Sequence, residues 1–241
     1  MITHYDLFAG IGGFSLALDE VFNDETIRHI FCEWEPFPTA VLKKHWTNGT
    51  FYGDIAELVA DTRREQRIKG SRQSLRSKEQ VNRTSDNQRS SSLRSITIVT
   101  GGFPCQPFSH AGRRKGTADD RYQWPNMFQV IRNVKPDWVI AENVRGLVTW
   151  NNGLVLEQVC ADLESEGYEV QPLVIPAVAV NAPHRRDRVW IIAHRNSQRV
   201  NTGRTEVQET HGEISKWDDN AKLGCPDWNR NWQEVAFKTC H

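Results

Sequence analysis

Residues 2–21, ITHYDLFAGIGGFSLALDEV, constrain this chain most: a short apolar run turns through Gly10, Gly12 and Gly13 into a helical pattern. Glycine at such a turn tolerates positive φ and lets the backbone approach a ligand that a β-carbon would exclude. A strand that turns this tightly into a helix opens a β-α-β unit, and the chain then keeps the alternation. Phe14, Ala17, Leu18 and Val21 are expected on the inward face of the first helix. Further strands are expected at 29–32, 96–100 and 138–141, with helices at 38–45, around Met127, Val130, Ile131 and Val134, and at 154–163. Alternating strands and helices predict an α/β fold, a Rossmann-like parallel sheet with helices on both faces. The runs 169–175 and 189–193 read as strands with no convincing helix between them, so a C-terminal antiparallel hairpin is expected to close the sheet.

Composition narrows the class. With 241 residues and 38% hydrophobic side chains, one main core and a smaller appendage are expected. Thirty basic residues balance thirty acidic ones, so any contact with nucleic acid must come from local patches. The five cysteines (Cys32, Cys105, Cys160, Cys225, Cys240) include no C-x-x-C pair for zinc, so no metal is expected, and a reducing cytoplasm suits them. Residues 1–8 show no basic-then-apolar pattern and no run approaches 18 apolar residues, so the expectation is a soluble protein away from membranes. Two stretches break the rhythm. Residues 60–95 carry ten basic and four acidic side chains among Ser, Gln and Asn, and read as a flexible insertion, either a solvated loop or a phosphate-contacting arm. Residues 195–241 are polar and carry seven basic against seven acidic side chains.

The glycine turn stops short of a dinucleotide fingerprint, because Ser15 stands where a third glycine is required. That favours a nucleoside ligand without a pyrophosphate. Glu33 ends the second strand, where a carboxylate can accept both ribose hydroxyls. Trp34 beside it can cover an adenine face, and Asp54 can take the adenine amino group. A plain strand end at the surface is the alternative for Glu33 and Trp34. In GGFPCQPFS, Cys105 follows a strand end on a loop stiffened by Pro104 and Pro107. Glu142 ends the neighbouring strand at the same sheet edge. A thiolate and a carboxylic acid together suit a substrate attacked at one atom and protonated at another. Cytosine is such a substrate: its C5 becomes nucleophilic once a thiolate adds at C6 and N3 is protonated. Arg186 and Arg188, two apart on an extended segment, can hold the base, support Glu142, contact phosphate or simply lie at the surface.

In order, DLFAGIGG, Glu33-Trp34, Gly53-Asp54, GGFPCQPFS, Glu142-Asn143-Val144 and APHRRDRVWI resemble the motifs of the DNA (cytosine-5-)-methyltransferase family. The resemblance covers roughly residues 3–194 apart from the insertion. It implies a methyltransferase sheet that binds S-adenosylmethionine as methyl donor, without a metal, through Phe8, Gly10, Gly12, Glu33, Trp34 and Asp54. It implies Cys105 as nucleophile, Glu142 as the group that engages N3, Arg186 and Arg188 as base-holding arginines, and Asn143 as a brace for the catalytic loop. Double-stranded DNA is the implied partner, with a restriction nuclease or a complementing chain as companions. His184 stands where the family usually has glutamine, and nothing after Ala193 matches the family's two further motifs. Residues 1–194 therefore read as the catalytic domain and 195–241 as a partial, apparently truncated target-recognition region. The alternatives are a non-catalytic or split subunit that needs a partner chain, and RNA as the substrate. A nicotinamide-dependent oxidoreductase is opposed by Ser15 and the cysteine loop.

Overall fold

The computed structural model describes residues 1–80, 95–104 and 122–195. Its strands are β1 (Ile2–Leu7), β2 (Ile27–Cys32), β3 (Thr50–Tyr52), β4 (Ile96–Gly101), β5 (Trp138–Val144), β6 (Tyr168–Pro176) and β7 (Asp187–Arg195). They form one sheet in the order β3-β2-β1-β4-β5-β7-β6. β1 lies inside the sheet, with Tyr5 opposite Ile30 of β2 and Val99 of β4, and the pairs from β3 to β5 are parallel. β7 then runs antiparallel to β5, with Glu142 opposite Trp190. The sheet closure expected from the last two apolar runs is therefore present, with β7 rather than β6 placed next to β5.

Six helices accompany the described strands: α1 (Gly13–Val21), α2 (Pro36–His45), α3 (Ile55–Gln80), α4 (Trp124–Val134), α5 (Gly146–Thr149) and α6 (Leu154–Ser165). The main core joins Tyr5, Leu7, Ile30, Val99, Val139 and Ala141 of the strands to Leu58 of α3, to Met127, Val130 and Ile131 of α4, and to Val159 and Leu163 of α6. Burial of such side chains stabilises by roughly 1.5 to 3 kcal/mol each, so this face dominates the hydrophobic contribution.

The opposite face differs. Its apolar contacts form two small groups, Ile2 with Leu18 and Ile98, and Ala9 with Phe31 and Leu42. Polar residues fill much of the remainder: His4, Asp6, Ser15 and Thr100 are fully buried. This overturns the face expected for α1. Ser15 and Leu18 are buried, whereas Ala17 is exposed and Val21 is 70% exposed. The helix turns Ser15 inward because the strands beneath offer it a carboxylate and an imidazole to bond.

The expected flexible insertion is also corrected over its first half. Asp54 caps α3, its Oδ1 accepting the Ala56 N–H at 2.8 Å, and the helix continues to Gln80. Ile55, Leu58 and Thr62 recur on one face and are buried. Asn133 of α4 donates to Val59 O and Thr62 Oγ1, both at 3.1 Å, which fastens α3 to α4. The polar composition that suggested disorder is rich in Arg, Gln, Lys and Glu, which are good helix formers. Residues 81–94 lie outside the described residues.

The chain divides into two compact units, one of Met1–Val174 with Arg188–Asn196 and one of Ile175–Asp187 with Ser197–His241. In the described part of the second unit, Ala177–Val180 form a 3-10 turn, Ala177 N–H donates to Arg185 O at 2.7 Å, and Arg185 pairs with Asp187 at 3.0 Å. Among the described residues no helix is long and apolar enough to cross a membrane.

Candidate functional site

The parallel strands end along one edge of the first unit, and the turns that follow them build a cavity of about 910 Å³. Phe8 and Gly10 from the turn after β1 line it, as do Glu33 and Trp34 after β2 and Gly53 and Asp54 after β3. Gly102 and Pro104 after β4, and Gln123 and Asn126 at the start of α4, complete the wall. Its size falls in the range of small-ligand pockets, about 300 to 1,000 Å³.

Backbone strain and a buried carboxylate shape the first wall. Phe8 has φ +55°, Gly10 φ +53° and Gly12 φ +89°, so three residues of the turn occupy the left-handed region, which a non-glycine residue such as Phe8 seldom adopts. Glu33 is 8% exposed. Its Oε2 accepts the Gly10 N–H at 2.8 Å and its Oε1 accepts the Glu35 N–H at 2.9 Å. One carboxylate thus ties the glycine turn to the end of β2. Each of its oxygens keeps a second lone pair, so a diol can still be accepted. Trp34 is 78% exposed, its indole presented at the cavity. Asp54 lines the wall with one oxygen used as the α3 cap.

Gly12, expected to let a ligand approach, has another task. At φ +89°, a β-carbon there would lie 2.6 Å from Cζ3 of Trp46 and 2.9 Å from Cδ2 of Leu42, and Gly12 is not among the residues that line the cavity. Its backbone packs against the indole behind the turn. Gly10 and Gly13 have open space around them, and of the two Gly10 lines the cavity.

The second wall belongs to β4 and β5. Cys105 lies outside the described residues, as does the rest of its loop, but the chain leading to it ends at Pro104 in the cavity wall. Asn143 is buried and donates from Nδ2 to Phe103 O at 3.0 Å, two residues before Cys105, while its Oδ1 accepts the Val144 N–H at 2.9 Å. Glu142, at the end of β5, pairs through Oε1 with Nε of Arg188 on β7 at 2.7 Å, both side chains about one quarter exposed. Gly102 leaves room for this carboxylate: a β-carbon there would sit 3.2 Å from Glu142 Oε2. The alternation expected for the two arginines fails, because β7 begins at Asp187 and Arg186 precedes it with φ +36°. Arg188 is a strand residue beside Glu142, whereas Arg186 belongs to the second unit.

Several cavity residues were not anticipated, Glu35 and Ile55 among them. Gln123 and Asn126 bond each other at 2.7 Å at the start of α4, where polar residues before an apolar stripe were the available signal. Pro38 and Cys32 also line the cavity. Burial, and then the carboxylates of Glu33, Asp54 and Glu57, push the Cys32 thiol up to about 12, so at neutral pH it is no nucleophile.

A family model described as C-5 cytosine-specific DNA methylase matches residues 2–227. Type II methyltransferase M.NlaX of Neisseria lactamica is 29% identical over 199 residues, covering 81% of this chain and 53% of that protein. Type II methyltransferase M.HgiCII of Herpetosiphon aurantiacus is 31% identical over 188 residues, covering 78% and 36%. The chain thus spans about half or less of the length of these relatives. Among solved structures, the S. pombe Dnmt2 methyltransferase superposes with a TM-score of 0.54 at 20% identity over 89% of this chain and 59% of that one, a likeness of fold. Spodoptera frugiperda DNMT2 gives 0.54 at 16% identity, covering 88% and 57%.

Proposed function

Because the chain belongs to the C-5 cytosine-specific DNA methylase family, we propose that it methylates C5 of cytosine in double-stranded DNA, with S-adenosylmethionine as donor and a transient bond between Cys105 and C6. The observation that carries this reading is the cavity at the strand ends, where an anchored carboxylate, an exposed indole and an open glycine turn meet the chain leading to Cys105. Those residues suit a nucleoside methyl donor: Glu33 for the ribose diol, Trp34 for an adenine face, Asp54 for the adenine amino group, and Phe8 and Gly10 for close backbone approach. Gly12 supports that turn from behind. The donor supplies an electrophilic methyl group bound to a sulfonium sulfur.

The remaining chemistry falls to the chain. The target nucleotide must leave the stacked duplex to reach the site. The Cys105 thiolate adds to C6 while Glu142 supplies a proton at N3, and C5 becomes nucleophilic. Arg188 orients the Glu142 carboxylate, and Arg186 is assigned to holding the base. After C5 gains its methyl group it loses its proton, and the electron pair of that C–H bond expels the cysteine as thiolate. Asn143 braces the loop through Phe103 O. In this reading residues 1–194 form the catalytic part, residues 195–241 contribute to target recognition, and the protein acts in the cytoplasm with a restriction nuclease as companion.

The test incubates the full chain with methyl-labelled S-adenosylmethionine and mixed-sequence duplex DNA, then digests the DNA to nucleosides. Label in 5-methylcytosine is expected. Label confined to adenine or to the cytosine amino group, or to RNA when both nucleic acids are supplied, contradicts the proposal.

A further inference from the structure

The sheet face beneath α1 holds a hydrogen-bond circuit that the proposed chemistry does not use. Thr100 Oγ1 lies 2.8 Å from His4 Nε2 and 3.1 Å from Asp6 Oδ1. His4 Nδ1 lies 3.0 Å from His29 Nδ1, and His29 Nε2 lies 2.9 Å from Asp19 Oδ1. Ser15 Oγ donates to Asp6 Oδ2 at 2.7 Å, and Trp46 Nε1 donates to Asp19 Oδ2 at 2.8 Å. His4, Asp6, Ser15 and Thr100 are fully buried, so a contact left without a proton is costly.

Counting protons shows what the circuit requires. A threonine hydroxyl has one proton and cannot serve both His4 and Asp6. If Asp6 is protonated, it donates to Thr100, Thr100 donates to His4 Nε2, His4 Nδ1–H donates to His29 Nδ1, and His29 Nε2–H donates to Asp19. If Asp6 is ionised, Thr100 donates to it, His4 Nε2–H donates to Thr100, and His29 donates from both nitrogens. The two arrangements hold the same number of protons. Removing one proton leaves two acceptors facing each other at one of the four contacts, Asp6–Thr100, Thr100–His4, His4–His29 or His29–Asp19. Burial raises the Asp6 carboxyl to about 7 against the lowering effect of its Ser15 and Thr100 bonds, with Glu33 adding repulsion. Burial and His29 lower the His4 imidazole to about 3. Both directions favour a protonated Asp6 beside a neutral His4.

The circuit grips the glycine turn from two sides. Ser15 sits in the first turn of α1, two residues after Gly13. Trp46, held by Asp19 on the same helix, fills the space behind Gly12. We propose that Asp6, Ser15, Thr100, His4 and His29 are positioning residues that hold the turn 8–13 in its ligand-binding shape through a circuit that is complete only while it carries one shared proton. The titratable groups facing it are Glu33 at the end of β2, Asp19 on α1 and His29 on β2. The proposal rests on the reading of the adjoining cavity as the S-adenosylmethionine site.

The test uses Asp6→Asn, whose amide can donate to Thr100 and accept from Ser15 as a permanently protonated carboxyl would. S-adenosylmethionine binding to the full chain is measured by calorimetry from pH 6 to pH 9, alongside NMR of labelled aspartate carboxyls and histidine rings without ligand. The ligand has its own titrating amine, so each profile is read against the variant's. Wild-type affinity should weaken by about tenfold more than that of Asp6→Asn over this range, the loss of one buried hydrogen bond. Asp6→Ala should bind weakly at every pH. In the wild type at pH 6, either the Asp6 carboxyl or a doubly protonated His29 ring should carry the proton. Parallel affinity profiles for wild type and Asp6→Asn overturn the proposal. So does an ionised Asp6 beside two neutral histidines at pH 6, a result that needs neither the variant nor ligand. If nothing binds at any pH while the shared proton is present, the cavity reading fails instead and the positioning role falls with it.

Discussion

The two halves of the site edge are held together by different means. After β1 to β3, one buried carboxylate, Glu33, grips backbone N–H groups on both sides, and a left-handed turn is fixed between it and the Trp46 ring. After β4 and β5, the partly exposed Glu142 side chain depends on a partner from β7, and one asparagine fastens the strand end to the outgoing loop. Backbone anchoring leaves few alternative geometries, so the first half is preorganised for a ligand that is bound whole. The second half is joined through side chains, which can shift between rotamers. Changes in the first half should therefore act on ligand affinity, and those in the second on turnover.

The largest effect expected is from Glu33→Ala, which removes both backbone anchors and the diol acceptor. Calorimetry should show S-adenosylmethionine affinity falling by about hundredfold, in line with loss of a charge-assisted hydrogen-bonded group. Glu33→Gln, which keeps one acceptor oxygen, should lose about tenfold. Equal affinity in all three proteins would remove Glu33 from the site and dissolve the contrast.

Arg188→Ala tests the other half. With the Glu142 carboxylate no longer oriented, kcat should fall by tens of fold, about the effect of a small misplacement of a reacting group. Affinity for S-adenosylmethionine should stay within about twofold. A matching loss of ligand affinity would mean that the halves are not separable. Asn143→Ala should be milder, with turnover down by about tenfold as the brace on Phe103 O is lost and a buried carbonyl goes unpaired. Single-turnover kinetics at saturating ligand isolates that step.

How legible these halves were in the sequence follows from the same physics. The glycine turn, Glu33, Trp34 and the Glu142-Asn143 pair could be read because strand ends in an open α/β sheet gather at one edge, so order along the chain fixes neighbourhood. The inward face of α1 could not. Selecting apolar residues gives Phe14, Ala17, Leu18 and Val21, of which Leu18 is buried, but the strands beneath carry His4 and Asp6, and Ser15 turns inward to satisfy them. Burial of polar side chains depends on partners far away in sequence, and no local period reports it. Gly12 was readable as a turn residue, yet its close neighbour Trp46 lies 34 positions on. The α3 helix is hidden for a different reason: its low hydrophobicity resembles that of an unstructured segment, although its residue types favour a helix. Arg186 was drawn onto a strand that begins one residue later.

The buried circuit also belongs to the first half, and it gives the smallest effect expected, in the pH dependence of unfolding. Asp6 has a raised pKa, about 7, so its contribution is full below the ordinary carboxylate range and is lost as pH rises towards 7. His4 has a lowered pKa, about 3, so its contribution is present above the ordinary imidazole range and is lost as pH falls towards 3. Between roughly pH 4 and 6.5 the two slopes oppose each other, each at most about 1.4 kcal/mol per pH unit. Relative to wild type, denaturant unfolding of His4→Phe should lose stability with rising pH in this window, and that of Asp6→Asn should gain it. Slopes of the same sign in both variants would contradict this balance.

Duplex DNA carrying 5-fluorocytosine probes methyl transfer through a cysteine adduct. Fluorine at C5 stands in place of the proton whose loss releases Cys105, so the enzyme should be trapped on its target. Incubation of the full chain with a mixed-sequence 5-fluorocytosine duplex library and S-adenosylmethionine should yield a protein–DNA adduct that survives denaturation. This adduct should require S-adenosylmethionine, form more slowly with Glu142→Gln and be absent with Cys105→Ser, as methyl transfer through a Cys105 adduct demands. An adduct formed equally well by Cys105→Ser would contradict it.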